Sequence, residues 1–352
     1  MQKKLIALAV AGMIAAPAFA QSNVTVYGRL DYGYLNADSE TTTAGVKTSS
    51  DSSTTGFGTG ALTTSRLGVK GSEDLGNGMK AHFNLELAIK DTAKMGADTG
   101  TDLAAPFSTR LSNVGLSGGF GDVTLGRQYT AVESAWGVGS AGGLNNATGA
   151  AYTGGLKLNN TRSDELITYT SPNMSGFSAT VQYGKGEVDA TGTASDVSQK
   201  EFGLLVKYAN GPLNVALGYS KEKAEAAGAT TSEPSQVVLG ANYDFGVAKV
   251  FALYADGSDD MAAGAADDVD NDVIEIGVNA PVGPVVLVAS YYDGEKEVGT
   301  TKTDVDGFQL GALYPLSKRT TLYALYGNKD EETNSANNSE LTHFALGVRH
   351  DF

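Results

Sequence analysis

Cysteine is absent from this chain. Disulfide staples, thiolate zinc sites and thiol nucleophiles are all excluded with it. Histidine occurs three times, at His82, His343 and His350, which leaves little for imidazole chemistry. After Ala20 no apolar run approaches the ~20 residues that a membrane-spanning helix needs, so a helical membrane protein is excluded. Bases are few beside acids, 25 against 40, and the formal net charge is −15; no nucleic-acid partner is expected of such a surface. The mean hydropathy of −0.15 and hydrophobic fraction of 41% look like those of a water-soluble protein. A transmembrane barrel survives that comparison, because strands that alternate lipid-facing and lumen-facing residues dilute hydropathy in the average.

The chain begins with a distinct segment. Lys3 and Lys4 precede an apolar run from Leu5 to Ala16, and Ala18-Phe19-Ala20 supplies small residues before Gln21. This pattern predicts a secretory signal peptide over residues 1–20 and a single β-barrel domain over residues 21–352.

From Val24 onward the period is two. Val24, Val26, Leu30, Tyr32 and Tyr34 share one face while Tyr27, Arg29 and Asp31 share the other. Met79, Ala81, Phe83, Leu85 and Leu87 oppose Lys80, His82, Asn84 and Glu86; Phe177, Ala179, Val181 and Tyr183 oppose Ser178, Thr180 and Gln182. The last ten residues alternate likewise, with Phe344, Leu346, Val348 and Phe352 on one face and Arg349 and Asp351 on the other. Each is the pattern of a strand wet on one side only. Ten such residues tilted by ~45° rise about 23 Å, close to the apolar band of an outer-membrane barrel.

Connections between these segments alternate between short and long. The short ones hold turn residues: Leu75-Gly76-Asn77-Gly78, Gly118-Gly119-Phe120-Gly121, Ser171-Pro172-Asn173-Met174, Asn210-Gly211-Pro212, Phe245-Gly246, Pro281-Val282-Gly283-Pro284 and Leu316-Ser317-Lys318. The long ones, roughly 36 to 61, 91 to 107, 129 to 161, 188 to 199, 223 to 234, 258 to 271, 295 to 303 and 329 to 339, are rich in Thr, Ser, Asp, Glu and Gly. Sorting of loops by length is a barrel signature, and this count implies an all-β fold: a sixteen-stranded antiparallel transmembrane barrel. Sixteen strands leave an aqueous lumen rather than a packed interior.

Several segments carry a more specific likeness. They are Val24-Thr25-Val26-Tyr27-Gly28-Arg29-Leu30-Asp31, the run from Ser65-Arg66-Leu67-Gly68 to Leu75-Gly76-Asn77-Gly78, Val114-Gly115-Leu116-Ser117-Gly118-Gly119-Phe120-Gly121, Leu125-Gly126-Arg127-Gln128 and Gly347-Val348-Arg349-His350-Asp351-Phe352. Together they closely resemble the general-diffusion porins of Gram-negative bacteria, above all the neisserial and betaproteobacterial type. The resemblance implies a multi-pass outer-membrane homotrimer with one pore per subunit and a third loop folded inward as a constriction. It also implies passage of small hydrophilic solutes and ions, contact with outer-membrane lipid and lipopolysaccharide, and recognition of Phe352 by the outer-membrane assembly machinery.

Carried over by position, the basic wall of the constriction would be Arg29, Arg66, Arg110 and Arg162. Arg29, Arg66 and Arg162 have lumen parity; Arg110 shares its side with Val114 and Leu116 and needs either a β-bulge or packing of that wall against the folded loop. From Tyr129 to Asn160 the third loop holds one acid, Glu133, and one base, Lys157. Asp31, Glu86 and Asp164 have lumen parity and are expected to supply the acidic side from the wall, with Lys80 and His82 as further polar lining. The eyelet is then basic overall. Each arginine ~10 Å from an ion contributes about 0.4 kcal/mol in water before screening, so the set favours anions by about a kcal/mol.

Other matches carry less. Gly115-Leu116-Ser117-Gly118-Gly119 fits G-x-S-x-G but enters a tight turn rather than a helix, and Gly137-Val138-Gly139-Ser140-Ala141-Gly142 fits G-x-G-x-x-G without a βαβ unit. Asp268-Val269-Asp270-Asn271-Asp272 begins like a calcium loop but has Val273 at the sixth position and Asn279 at the last. Only adventitious divalent binding is left for the acidic stretch 258 to 271. No enzyme, catalytic residue, metal site or cofactor is expected. A solute-specific channel shares the fold but would show a lumen track of aromatics, where Tyr27 is the one clear case. A barrel acting chiefly as an adhesin or surface anchor is the other alternative.

Overall fold

The computed structural model describes residues 23–56, 62–89, 107–141, 160–188, 196–261, 268–334 and 336–352. The expected signal peptide, residues 1–20, lies outside the described residues, as do 142–159 of the third long connection. Among the described residues the elements are β1 (Asn23–Thr43), β2 (Val46–Gly56), β3 (Arg66–Gly76), β4 (Met79–Ile89), β5 (Phe107–Gly118), β6 (Gly121–Tyr129), α1 (Ala131–Gly139), β7 (Arg162–Thr170) and β8 (Phe177–Val188). Nine strands follow: β9 (Val197–Asn210), β10 (Leu213–Ala226), β11 (Ala229–Asp244), β12 (Lys249–Met261), β13 (Val269–Val282), β14 (Val285–Val298), β15 (Thr301–Pro315), β16 (Thr320–Asn334) and β17 (Asn337–Asp351).

These seventeen segments fill sixteen positions of one antiparallel barrel. β1 pairs with β3 from Asn23↔Ser72 to Arg29↔Arg66, then with β2 from Gly33↔Gly56 to Thr43↔Val46. β2 and β3 are thus two pieces of a single strand position, one ending at Gly56 and the other starting at Arg66. The ring closes where β1 meets β17, from Arg29↔Asp351 to Thr42↔Asn338. Gly28 and Phe352 exchange backbone hydrogen bonds of 3.1 and 3.0 Å at the lower end of that seam. Closure leaves no open edge at the β1–β17 seam, the condition for a sheet to survive in hydrocarbon.

Parity sorts the two faces. Val24, Val26, Leu85, Val114, Leu116, Leu125, Ile167, Ile274 and Ile276 are exposed on the outside, a continuous apolar surface that water would not tolerate and lipid does. The inner face carries polar groups such as Gln182, Glu201, Gln236, Glu275 and Gln309, all buried.

The outer connections depart from expectation. Three of the stretches read as long loops are strand extensions joined by two-residue turns: Ala44-Gly45, Ala227-Gly228 and Gly299-Thr300. Above the membrane both faces meet water, so the apolar alternation that marks a strand disappears while the backbone pairing continues. Threonine's branched side chain still favours the pleat. Cross-strand pairs such as Lys47–Glu40 (2.6 Å) and Lys302–Glu295 (2.6 Å) sit on these hairpins; exposed as they are, each contributes at most about 1 kcal/mol.

Candidate pore constriction

The third connection starts at the end of β6 with a capped helix. The Thr130 hydroxyl accepts from the Glu133 amide (3.3 Å) and donates to the Asn160 carbonyl (2.8 Å), and the Thr130 amide donates to the Thr161 carbonyl (3.2 Å). Glu133 stands in the first turn, where the helix dipole favours an acid. The apolar side of α1, formed by Ala131, Val132, Ala135 and Trp136, is buried against Leu205, Ala216, Val238, Leu253 and Ala255 on the inner wall.

Missing side chains on the wall make this seat possible. A Cβ at Gly218 would stand 2.9 Å from Ala135 Cβ, and one at Gly240 would stand 2.7 Å from the Gly139 nitrogen, nearer than packed atoms approach. Gly240→Val is therefore expected to push α1 off the wall towards the pore axis and to lower single-channel conductance severalfold. Planar-bilayer recording tests this, and unchanged conductance from a properly folded variant would show that the helix is not seated through Gly240.

Polar anchors hold the rest. The Asn242 side-chain amide donates to the Val138 carbonyl (2.8 Å), and the Ser140 hydroxyl donates to Glu275 (3.2 Å). The Asn160 amide and side chain donate to the two oxygens of Glu222 (2.8 and 2.6 Å). Glu222 and Glu275 were not singled out from the sequence, yet they grip both limbs of the connection. Their signal was parity: Glu275 lies between Ile274 and Ile276, both of which face outward.

Across the lumen the arginines gather. The β4–β5 register shifts between Glu86 and Leu87, and the extra residue opposite this step turns Arg110 inward although Val114 and Leu116 face out. Arg110 Nε donates to Glu86 Oε1 (2.6 Å) and Nη2 to the Tyr129 hydroxyl (2.9 Å). Arg66 Nη1 is 3.7 Å from the same Glu86 oxygen, and the Arg162 guanidinium lies over the Tyr129 ring at 5.0 Å. Tyr27 donates from its hydroxyl to Glu86 Oε2 (3.1 Å). Arg29 pairs with Asp351 (2.5 Å), which also stands 3.5 Å from Arg349 Nε. Among these described side chains, Arg66 and Arg110 are thus set against Glu86, and Arg29 and Arg349 against Asp351, with Arg162 over Tyr129. Arg349, Asp351 and Tyr129 join the set without having been picked out as pore residues.

Four expected lining residues stand apart from the arginine cluster. Asp31 has lumen parity but is fully buried, accepting from the Thr63 amide (2.8 Å) and the Tyr323 hydroxyl (2.5 Å); residues 62–65 cover it. Asp164 lies where the β6–β7 register shifts, so parity does not carry through; its side chain is 71% exposed and pairs with Arg127 (2.8 Å). His82 and Lys80 lie four and six residues below Glu86 on β4, roughly 13 to 20 Å towards the short-turn end. His82 pairs there with Asp122 (2.7 Å). The discounted motifs also resolve: Gly115 to Gly118 end β5 at a hairpin turn, and the calcium-loop-like run from Val269 onward is β13.

A closed barrel with an apolar exterior, a polar interior and a helix laid on one inner wall opposite an arginine cluster defines the class of transmembrane diffusion pores. A family model described as Gram-negative porin matches residues 7–334, and the chain belongs to that family. It is 36% identical to outer membrane porin protein 32 of Delftia acidovorans over 95% of this chain and 92% of that one. It is 30% identical to an outer membrane porin protein of Bordetella pertussis over the full length of both. Its structure is similar to that of an anion-selective porin from Comamonas acidovorans, with a TM-score of 0.68, 28% identity and coverage of 94% of this chain and 100% of that one. The trimer form of OmpT from Vibrio cholerae shares the fold, with a TM-score of 0.65 at 19% identity over 94% and 99% of the two chains. The protein is a multi-pass β-barrel of the Gram-negative outer membrane, and its family consists of channels rather than enzymes.

Proposed function

We propose that this porin is a homotrimeric, water-filled channel for passive diffusion of small hydrophilic solutes and ions, with a preference for anions. Removal of residues 1–20 on export precedes assembly, and the apolar exterior then faces outer-membrane lipid, with lipopolysaccharide against the outer hairpins. The third connection narrows the lumen from the α1 side, and Arg29, Arg66, Arg110 and Arg162 form the opposite lip. One observation carries the selectivity: five arginines lie on β1, β3, β5, β7 and β17, away from the strands that seat α1, while the wall acids Glu222 and Glu275 are engaged in anchoring the third connection. The formal charge of −17 left once residues 1–20, with Lys3 and Lys4, are removed works the other way, but much of it sits on outer hairpins, and screening over ~8 Å leaves the narrowest point to its own side chains. Support comes also from the Comamonas porin, described as anion-selective, and from OmpT, described in trimer form.

The test is the reversal potential across a potassium chloride gradient. Anions should be preferred, more strongly at low salt than at high salt. Cation preference in dilute salt would sink the proposal.

A further inference from the structure

The limb that returns from the first outer hairpin, residues 62–65, lies inside the barrel. Leu62 is 2% exposed and packs in a cluster with Tyr323, Leu325, Ala345 and Ala141. Its neighbours are pinned by Asp31 on β1. The Thr63 amide donates to Asp31 Oδ2 (2.8 Å) and the Tyr323 hydroxyl to Oδ1 (2.5 Å). The Ser65 hydroxyl donates to the Asp31 carbonyl (3.2 Å) and accepts from the Asp31 amide (2.9 Å). The limb in turn holds Arg66: Nη2 donates to the Thr63 hydroxyl (2.9 Å) and Nε to the Thr64 carbonyl (3.1 Å), with Nη1 left towards Glu86 at 3.7 Å.

We propose that Asp31 is a positioning residue for selectivity: through residues 62–65 it fixes the Arg66 guanidinium, so that a buried anion sustains the pore's preference for anions. This rests on the anion-preferring constriction proposed above. Arginine is a long side chain with a planar fork, and only its anchors decide which way the fork points. Released from Thr63 and Thr64, Arg66 is free to close its 3.7 Å gap to Glu86 and form a bidentate pair. Its charge would then be spent on the wall instead of the lumen.

The sign of the effect identifies the mechanism. A carboxylate acting directly on ions repels anions, so its removal would strengthen anion preference; a clamp that positions Arg66 does the reverse. Reversal potentials should be measured in planar bilayers for Asp31→Asn, Thr63→Val, Arg66→Gln and the double variant Asp31→Asn with Arg66→Gln, beside thermal melting of each. The anion-to-cation permeability ratio is expected to fall in Asp31→Asn and in Thr63→Val by up to about fourfold, one arginine's contribution at ~10 Å in water being roughly a factor of two for each ion. The double variant should match Arg66→Gln alone. A raised ratio in Asp31→Asn overturns the proposal, as does an unchanged ratio in Thr63→Val. Thr63→Val keeps the amide donor and the side-chain volume, so it decides the matter even where Asp31→Asn fails to assemble. Absence of anion preference in the unmodified channel would sink the proposed selectivity, whereas the direction of each variant's shift from that baseline judges the clamp by itself.

Discussion

A Glu86→Gln channel should prefer anions more strongly than the unmodified pore and should melt at a lower temperature. Both effects follow from one carboxylate serving two arginines. Glu86 is 5% exposed, with Arg110 at 2.6 Å and Arg66 at 3.7 Å from the same oxygen. Removing one partner of a buried ion pair costs about 3 to 5 kcal/mol, because the charge left behind is desolvated and uncompensated. Here the guanidiniums border an aqueous lumen, so the cost belongs at the lower end, about 3 kcal/mol. The lost negative charge also acts on permeating ions: at ~10 Å in water it is worth about 0.4 kcal/mol, roughly a factor of two for each ion. Reversal potentials and thermal melting of the same preparation check the pair of effects. Unchanged selectivity beside a lowered melting temperature would mean that the arginine cluster does not lie at the narrowest point.

Deletion of Phe352 should reduce insertion in cells by an order of magnitude or more while leaving refolding into detergent mildly affected. The structure places Phe352 at the seam of the barrel, where its backbone exchanges hydrogen bonds with Gly28 and its ring, 42% exposed, lies on the apolar outside. Loss of the residue frees the Gly28 amide and carbonyl, and groups unpaired in hydrocarbon cost several kcal/mol apiece. β1 and β17 keep the rest of their ladder, from Arg29↔Asp351 upward, so closure survives in detergent, where water reaches the seam. In cells the terminal aromatic on the apolar face is also the feature that the resemblance to porins assigns to the assembly machinery. Comparison of surface-exposed trimer in cells with refolding yield in detergent separates the two contributions. Equal defects would leave Phe352 a purely structural residue, and normal assembly in cells would remove both roles.

The wall of the barrel was legible because its physics is local. A residue facing lipid and the next facing water leave a period of two, and a turn of two to four residues must carry Gly, Asn or Pro wherever the chain reverses. Arg29, Arg66 and Arg162, positions that the resemblance supplied, were placed on the lumen side by counting along that period. Arg110 was not, because one inserted residue opposite Glu86 reverses every later side chain on β5 and leaves no trace in composition. Asp31 shows a different limit. Its parity was right, but a segment more than thirty residues away folds over it, and parity counts faces without knowing what covers them. The outer hairpins were missed because the period itself vanishes where both faces are wet.

By itself, then, the amino-acid sequence determined the architecture: sixteen strand positions, an apolar outside, a polar inside, short turns at one end and no helical span. These follow from alternation and turn chemistry, which act between neighbours in the chain. Only the tertiary structure decided how the third connection is seated and how the arginines of the wall are paired. The seating of α1 on Gly218 and Gly240, the grip of Glu222 and Glu275 on the third connection, and the sharing of Glu86 between Arg66 and Arg110 each join residues distant in sequence. Close approach, register shifts and ion pairing across a lumen are set by which strands the closed barrel brings face to face, and no local pattern encodes that.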